Sequence, residues 1–357
     1  MKDNKILIVG SNGILGKYIV EKAIISFGVE NIVLSDYKTK RLALQKEQIN
    51  KKFGKHPLTK LIDIHSTESI KKGLDSIDFV IIAIQQNEPL IQKHCIEIEI
   101  SSIDLSVNPE FIEKTLELNP IIKKQNIQII TGGLFPGLSG ILAKEINKKS
   151  LPNELVDIGL LQSTNGTNGK TGVSDMLQIF DKDVEFIQQN TTIKYSGFSY
   201  KKQFTYPKPF GNKKLRLTNF IERDYLKSKG ILSNYWTAFD KERFNRLISI
   251  LKSIGFLKLF KYPKTRSVLS QLIKKENKEI TNEYIGLSAR NSNQEISIIL
   301  TSDYEATASC VIAFSKTILS NKTKSEGIKF PFELFTFDEI KTDLKDVTIK
   351  IKAPNNV

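Results

Sequence analysis

Three glycines near the amino end, Gly10, Gly13 and Gly16, are spaced as G-x-x-G-x-x-G directly after the apolar run KILIV, Lys5–Val9. Such a run reads as a buried strand, and Lys17–Phe27 then carries Ile19, Val20, Ala23, Ile24 and Phe27 at helical spacing. A strand that turns at once into a helix offers free N–H groups and a partial positive charge, which suit a phosphate. Side chains at the turn would hold the backbone away from a diphosphate, so the turn calls for glycine. Asp36 stands twenty residues beyond Gly16, closing the next apolar run NIVLS. A carboxylate at that strand end accepts hydrogen bonds from an adenosine ribose. The spacing therefore predicts a nicotinamide dinucleotide held by Gly10, Ser11, Asn12, Gly13, Ile14, Leu15 and Gly16, with Asp36 on the ribose. NAD is favoured over NADP, because Asp36 would repel a 2′-phosphate, although Lys38, Lys40 and Arg41 stand near enough to accept one.

Other residues have types suited to proton or anion chemistry. Asp104 closes a predicted strand, Ser101–Leu105, on the edge where open α/β sheets bind ligands. It is a candidate catalytic residue, by orienting the nicotinamide or relaying a proton; capping the next helix is an equally simple role. Gly166–Thr171 (GTNGKT) looks in part like a phosphate-binding loop, but the position of the first glycine is occupied by Thr164. The loop reads as solvated, with Lys170 a candidate catalytic residue or anion anchor and Thr171 beside it toward substrate. Tyr18…Lys22 and Tyr225…Lys229 match the Tyr-x-x-x-Lys pair of short-chain dehydrogenases, a match that ten tyrosines in a lysine-rich chain produce by chance. His56, His65 and His94 share no spacing and read as surface residues, while Cys95 reads as a small buried hydrophobe.

The elements that must position these residues alternate regularly. Strands are expected at Lys5–Val9, Asn31–Ser35, Leu58–Asp63, Phe79–Ile84, Ser101–Leu105 and Ile127–Thr131. Helices are expected between them at Lys17–Phe27, Lys40–Lys52, Ser66–Gly73, Pro89–Ile98 and Pro109–Lys124. That alternation means crossover connections and an α/β fold with a Rossmann-type, doubly wound parallel sheet. Beyond about residue 150 the texture changes to a second α+β domain built on a mostly antiparallel sheet. There a helix is expected over Val173–Gln188, a strand pair within Thr192–Tyr206 and a helix capped by Asp240. A hairpin is expected about Asn291–Asn293, and a last helix capped by Asp303. The expected domains are 1–135 for the dinucleotide, 136–302 for substrate and dimerisation, and 303–357 packing back on the first.

Three further segments carry a family likeness. Ile103-Asp104-Leu105, Gly133–Ser139 (GLFPGLS) and Thr317–Glu333 (TILSNKTKSEGIKFPFE), with the glycine turn, resemble the saccharopine dehydrogenase-like oxidoreductases. The resemblance implies a mixed α/β domain after the Rossmann half and oxidation or reduction of C–N bonds between amines and carbonyl partners. It implies that Ala83, Ile84 and Gln85 lie beside the cofactor and that Pro136 and Gly137 border the nicotinamide and substrate. Asp63 is counted with the cofactor contacts and Gln86 with the substrate contacts. The chain departs from the pattern where Phe135 replaces an aspartate, where Val107-Asn108 replaces Gly-Glu, and where Phe332 separates Pro331 from Glu333.

Composition bounds the partners. The 357 residues carry a net charge of +14, but only seven cations are arginine and the lysines are spread along the whole chain, so nucleic acid is not expected. No apolar run reaches the roughly 18 residues of a membrane span. No signal peptide is apparent, and the two cysteines have no metal-type spacing, so a cytoplasmic, metal-free protein is expected, with a homodimer as its assembly. The sequence thus predicts an NAD(P)-dependent oxidoreductase acting at an imine or secondary amine of a carboxylate-bearing small molecule. Alternatives are a dinucleotide-binding redox sensor without turnover, a carbon–carbon double-bond reductase and a short-chain dehydrogenase.

Overall fold

The computed structural model describes residues 4–122, 126–148, 150–151, 154–164, 179–188, 191–257, 283–320 and 325–352. In chain order these form β1 (Ile6–Val9), α1 (Ile14–Phe27), β2 (Ile32–Asp36), α2 (Thr39–Phe53), β3 (Leu58–Leu61), α3 (Thr67–Leu74), β4 (Phe79–Ile82), α4 (Leu90–Glu97), β5 (Ser101–Asp104), α5 (Pro109–Leu116), β6 (Ile127–Ile129) and α6 (Leu138–Asn147). There follow β7 (Val156–Gln162), β8 (Asp183–Gln188), β9 (Thr191–Ser196), β10 (Lys201–Tyr206), β11 (Gly211–Thr218), α7 (Glu222–Ser228), β12 (Ser233–Phe239), α8 (Glu242–Ser253), β13 (Ile285–Arg290), β14 (Glu295–Leu300), α9 (Asp303–Leu319), β15 (Gly327–Lys329) and β16 (Thr348–Lys352). The chain divides into two compact units: Met1–Leu138 with Thr307–Leu344, and Ser139–Ala306 with Lys345–Val357.

The first unit is a seven-stranded sheet in the order β15-β6-β5-β4-β1-β2-β3. All its pairs are parallel. The strand order reverses at β1, with β2 on one side and β4 on the other, which is the arrangement of a Rossmann fold and its ligand-binding switch point. β1 and β4 are apolar throughout (ILIV, FVII) because helices cover both faces of a parallel sheet. Leu7, Val9, Val33, Val80 and Ile82 join Ile70, Leu74, Ile91 and Cys95 in one core cluster.

The second unit holds a seven-stranded sheet, β10-β11-β12-β7-β13-β14-β16, and a separate ribbon of β8 and β9. The large sheet is antiparallel except for the β12–β7 pair. Its core gathers Leu161, Phe204, Tyr206, Leu215, Leu217 and Trp236, with Phe186 of β8 packed edge-on to Trp236 at 5.9 Å. The expected fold class, a parallel Rossmann sheet plus a mostly antiparallel α+β domain, is the observed one.

Several local expectations change. The helix expected through Gln188 gives way to β8, whose Val184 and Phe186 alternate inward while the strand pairs with β9. The strands within Thr192–Tyr206 are present but do not pair with each other, since β9 joins β8 and β10 joins β11. The helix expected over Pro109–Lys124 stops at Leu116, and a short 3-10 turn containing Pro120 follows. Asp240 does not cap α8; its Oδ1 accepts the Thr164 amide at 2.8 Å and the Lys241 amide at 2.9 Å. Ser302, not Asp303, supplies the hydroxyl that meets the first turn of α9, accepting the Glu305 amide at 3.3 Å. The hairpin of β13 and β14 is formed as expected, with Asn291 Oδ1 accepting the amides of Asn293 and Gln294.

Candidate dinucleotide site

In a parallel sheet every strand ends on the same edge, so β1, β2, β4, β5 and β6 deliver their following loops to one rim. The glycine turn leaves β1 there. Gly10 has φ +84°, and a Cβ on it would lie 2.3 Å from Ile84 Cγ2 and 2.7 Å from the Ala83 oxygen. The loop after β4 therefore rests directly on the glycine turn. A Cβ on Gly16 would come within 2.1 Å of the Gly10 oxygen, so Gly16 lets α1 pack onto the strand end. Gly13 differs, because a Cβ there would meet the Gly10 oxygen at 3.2 Å and the Gly16 nitrogen at 4.0 Å. Gly13 also begins α1 with no side-chain cap, and the first turn carries no acidic residue. Ile14 is exposed and Leu15 half-buried in that turn. The helix start keeps its partial positive charge for an anion.

Ser11 and Asn12 divide the polar work. Ser11 is fully buried; its Oγ reaches the Ser35 oxygen at 3.1 Å and Gln45 Oε1 at 2.8 Å, while Gln45 Nε2 donates to the Ser11 oxygen at 2.7 Å. Its side chain is thus committed to holding the turn against α2. Asn12 Nδ2 is a buried donor with no hydrogen-bond partner. Such an orphan in a native fold points to a ligand or water.

At the end of β2 the Asp36 carboxylate is 7% exposed. Its Oδ1 accepts the Lys38 amide at 3.0 Å and its Oδ2 pairs with Arg41 Nε at 3.2 Å. Arg41 thus stands beside the acid expected at the ribose. Asp63 lies beyond β3, exposed, with Oδ1 accepting the His65 amide at 2.9 Å.

The loop after β4 turns Gln85 outward and Gln86 inward. Gln86 Nε2 lies 3.4 Å from Asp104 Oδ2, and Gln92 Nε2 of α4 donates to the same oxygen at 2.9 Å. Asp104 Oδ1 accepts the Ser106 amide at 2.6 Å. Asp104 is 1% exposed, and burial pushes its carboxyl up to about 7, against the Ser106 amide and the two glutamines, which favour the charged form. Helix capping falls not to Asp104 but to Asn108, whose Oδ1 accepts the Glu110 amide at 3.0 Å.

The next strand end holds the GLFPG segment. Thr131 adopts φ +54°, rare for a β-branched residue, and its hydroxyl is buried without a partner. Gly132 donates to the Asp104 oxygen at 2.9 Å. Gly137 has φ +128°, and a Cβ on it would lie 2.1 Å from the Gly133 oxygen, so Gly133 and Gly137 close a tight turn around the buried cis Pro136.

The glycine turn, Asp36, Ala83–Gln86 and Asp104 therefore gather on one rim, whereas Lys170 and Thr171, with the whole Gly166–Thr171 loop, lie outside the described residues. His56 and His65 are exposed as expected, but His94 is not a surface residue: it is 5% exposed and its Nδ1 meets Glu97 Oε2 at 2.7 Å. Cys95 is buried in the core, where burial pushes its thiol up and away from nucleophilic chemistry. Gln45, Gln92 and Thr131 were not found from the sequence. The first two had a signal, since each is a polar residue within a buried helical stripe, Leu42-Gln45-Ile49 and Gln92-Cys95-Ile96.

In the second unit Glu222 is fully buried and its Oε2 receives Ser139 Oγ at 2.5 Å and the Tyr235 hydroxyl at 2.6 Å. Ser139 ends the GLFPGLS motif, so that motif also anchors α6 to α7 and β12. Among the described residues no group of His, Cys, Asp and Glu is placed to hold a metal, and no helix is long and apolar enough to cross a membrane.

No family model and no curated protein matches the chain. Among solved structures it is similar to a dehydrogenase (MviM) from Clostridium difficile, at 10% identity over 96% of both chains with a TM-score of 0.42. It is similar to the WlbA (WbpB) dehydrogenase from Thermus thermophilus in complex with NAD and α-ketoglutarate, at 10% identity over 99% of this chain and 97% of that one, TM-score 0.41. A probable dehydrogenase from Thermotoga maritima matches at 11% identity over 95% of this chain and 93% of that one, TM-score 0.45. Likeness this distant carries no activity or substrate over to this chain. The fold assignment stands on the strand order.

Proposed function

We propose that the protein is an NAD(P)-dependent oxidoreductase, with the first unit binding the dinucleotide and the second contributing to substrate binding. One observation carries this reading: an uncapped helix start behind a glycine turn at the switch point of a parallel sheet, with a carboxylate on the next strand end. The residues present fit the group. Gly13 leaves room where a diphosphate would approach, Asn12 offers an unused donor, and Asp36 offers carboxylate oxygens to a ribose. The nicotinamide, when bound, supplies the hydride donor or acceptor.

The chain's own part is to bind, orient and shield. The amides of Gly13, Ile14 and Leu15 take the diphosphate, and Ala83, Ile84 and Gln85 flank the adjoining ribose. Pro136 and Gly137 border the reacting carbon. The reaction best suited to the motifs is hydride transfer at an imine or secondary amine, supported by the GLFPGLS and Ile103-Asp104-Leu105 segments. NAD is the preferred cofactor, with Arg41 able to turn from Asp36 toward a 2′-phosphate.

A second reading is a dinucleotide-binding sensor without turnover. The burial of Asp104 favours it, because this acid is engaged by three N–H donors rather than open to a substrate. Titration calorimetry with NADH and NADPH, followed by a hydride-transfer assay across amino acid and oxo-acid pairs, tests both. Binding with turnover supports the enzyme; binding without turnover on any pair supports the sensor. No heat at millimolar dinucleotide overturns both.

A further inference from the structure

Gln86, Gln92 and Asp104 come from three separate elements, the loop after β4, α4 and the end of β5, and all three are at least nine-tenths buried. Gln92 Nε2 donates to Asp104 Oδ2 at 2.9 Å, and Gln86 Nε2 lies 3.4 Å from the same oxygen and 3.3 Å from Gln92 Oε1. A single carboxylate oxygen thus gathers two amides, one of which belongs to the loop that rests on Gly10 through Ala83 and Ile84. Gln85, next to Gln86, is turned the other way and is exposed. A clamp on Gln86 therefore fixes the direction of the residues that flank the glycine turn.

We infer that Asp104 and Gln92 form a buried clamp on Gln86 that positions the 83–86 loop against the bound dinucleotide, and that the clamp holds only while Asp104 is ionised. This rests on the dinucleotide reading above. Both glutamine amides present N–H groups to Asp104 Oδ2, an arrangement that needs an acceptor. A protonated carboxyl brings an O–H donor into the same cluster, and an amide must turn its oxygen to accept it, which breaks the arrangement of donors on Asp104 Oδ2.

Charged groups on the neighbouring elements face other partners. On α4, His94 meets Glu97, and on α5, Lys114 pairs with Glu88 of the clamped loop itself. None acts on the Asp104 carboxyl, whose shift to about 7 comes from burial opposed by the Ser106 amide, Gln86 and Gln92. Asp104 is in this view a positioning residue, acting through Gln86 rather than on substrate.

The test is NADH affinity between pH 6 and pH 8, read by nucleotide fluorescence on the full chain. If only the ionised form closes the loop, a group titrating near 7 weakens binding about tenfold from pH 8 to pH 6. Asp104→Asn, close in shape but unable to ionise, gives a flat profile; Gln92→Leu weakens binding at pH 8. His94→Gln, which removes the imidazole carried by α4 and its contact with Glu97, keeps the wild-type slope. Thermal melts confirm that each variant is folded, and Asp104→Asn alone decides the question if Gln92→Leu does not fold. Wild-type binding that does not change between pH 6 and pH 8, or a slope kept by Asp104→Asn, overturns the clamp while leaving the dinucleotide site intact. Failure of the wild type to bind NADH at any pH overturns both.

Discussion

Gly16 faces the carbonyl of Gly10 so closely that a methyl group on it would stand 2.1 Å from that oxygen, whereas the same group on Gly13 would stand at 3.2 Å. The two glycines therefore have different reasons to be glycine. Gly16→Ala is expected to force strand and helix apart and to lower stability by about 2 kcal/mol or more, since the clash is with backbone that cannot rotate away. Gly13→Ala is expected to cost under about 1 kcal/mol and yet to weaken NADH binding about tenfold or more, because its methyl occupies the ligand's path. Denaturant melts and calorimetry on the two variants separate these effects.

The Asp36–Arg41 pair gives a prediction about cofactor choice. Arg41 is half exposed, so the pair contributes little to stability, and Arg41→Ala is expected to shift the melt by under about 1 kcal/mol. Removing the guanidinium takes away the cation nearest the ribose carboxylate. NADPH affinity is expected to fall about tenfold relative to NADH, measured as the ratio of the two dissociation constants.

Asp104 ties stability to pH. Its carboxyl titrates near 7 when folded and near 4 when unfolded, so the native state holds the extra proton between those values. The stabilisation is complete below the unfolded value and is lost as pH rises through the folded one. Wild-type unfolding free energy should drop by roughly 2–3 kcal/mol more than that of Asp104→Asn between pH 5 and pH 8. Urea titrations of both proteins at the two pH values measure the difference.

The second unit depends on Glu222 in a different way. Glu222→Ala leaves the Ser139 and Tyr235 hydroxyls, both fully buried, without their acceptor. A loss of about 3 kcal/mol is expected, and Glu222→Gln, which keeps a carbonyl acceptor, recovers much of it. Chemical denaturation followed by Trp236 fluorescence reads this unit directly.

The sequence shows the fold of the first unit where its logic is local. Strand, turn and helix lie within one short stretch, and Asp36 closes the following strand, so spacing alone located the rim. Gln45 and Gln92 escaped because a glutamine on a helix resembles solvated surface until the opposing residue is known; their partners lie 34 and 12 residues away. His94, on the same helix as Gln92, looks like surface in the sequence for the same reason. The helix expected to reach Gln188 fails because Phe180, Val184 and Ile187 carry helical spacing while Val184 and Phe186 carry that of a strand, and pairing with β9 decides the outcome. Asp240 looked like a helix cap from its position in sequence, yet the Thr164 amide, 76 residues away, holds the same Oδ1.

β15 has a consequence for biosynthesis. It lies parallel to β6, and the Ile328 amide reaches Asn119 Oδ1 across 209 residues of chain. While the protein is being made, the first sheet must wait with β6 as an open edge until the roughly 200 residues leading to β15 have left the ribosome. An emerging fragment of the first 150 residues or so is therefore an unfinished product with an adhesive border, the kind of intermediate that holdase chaperones shelter.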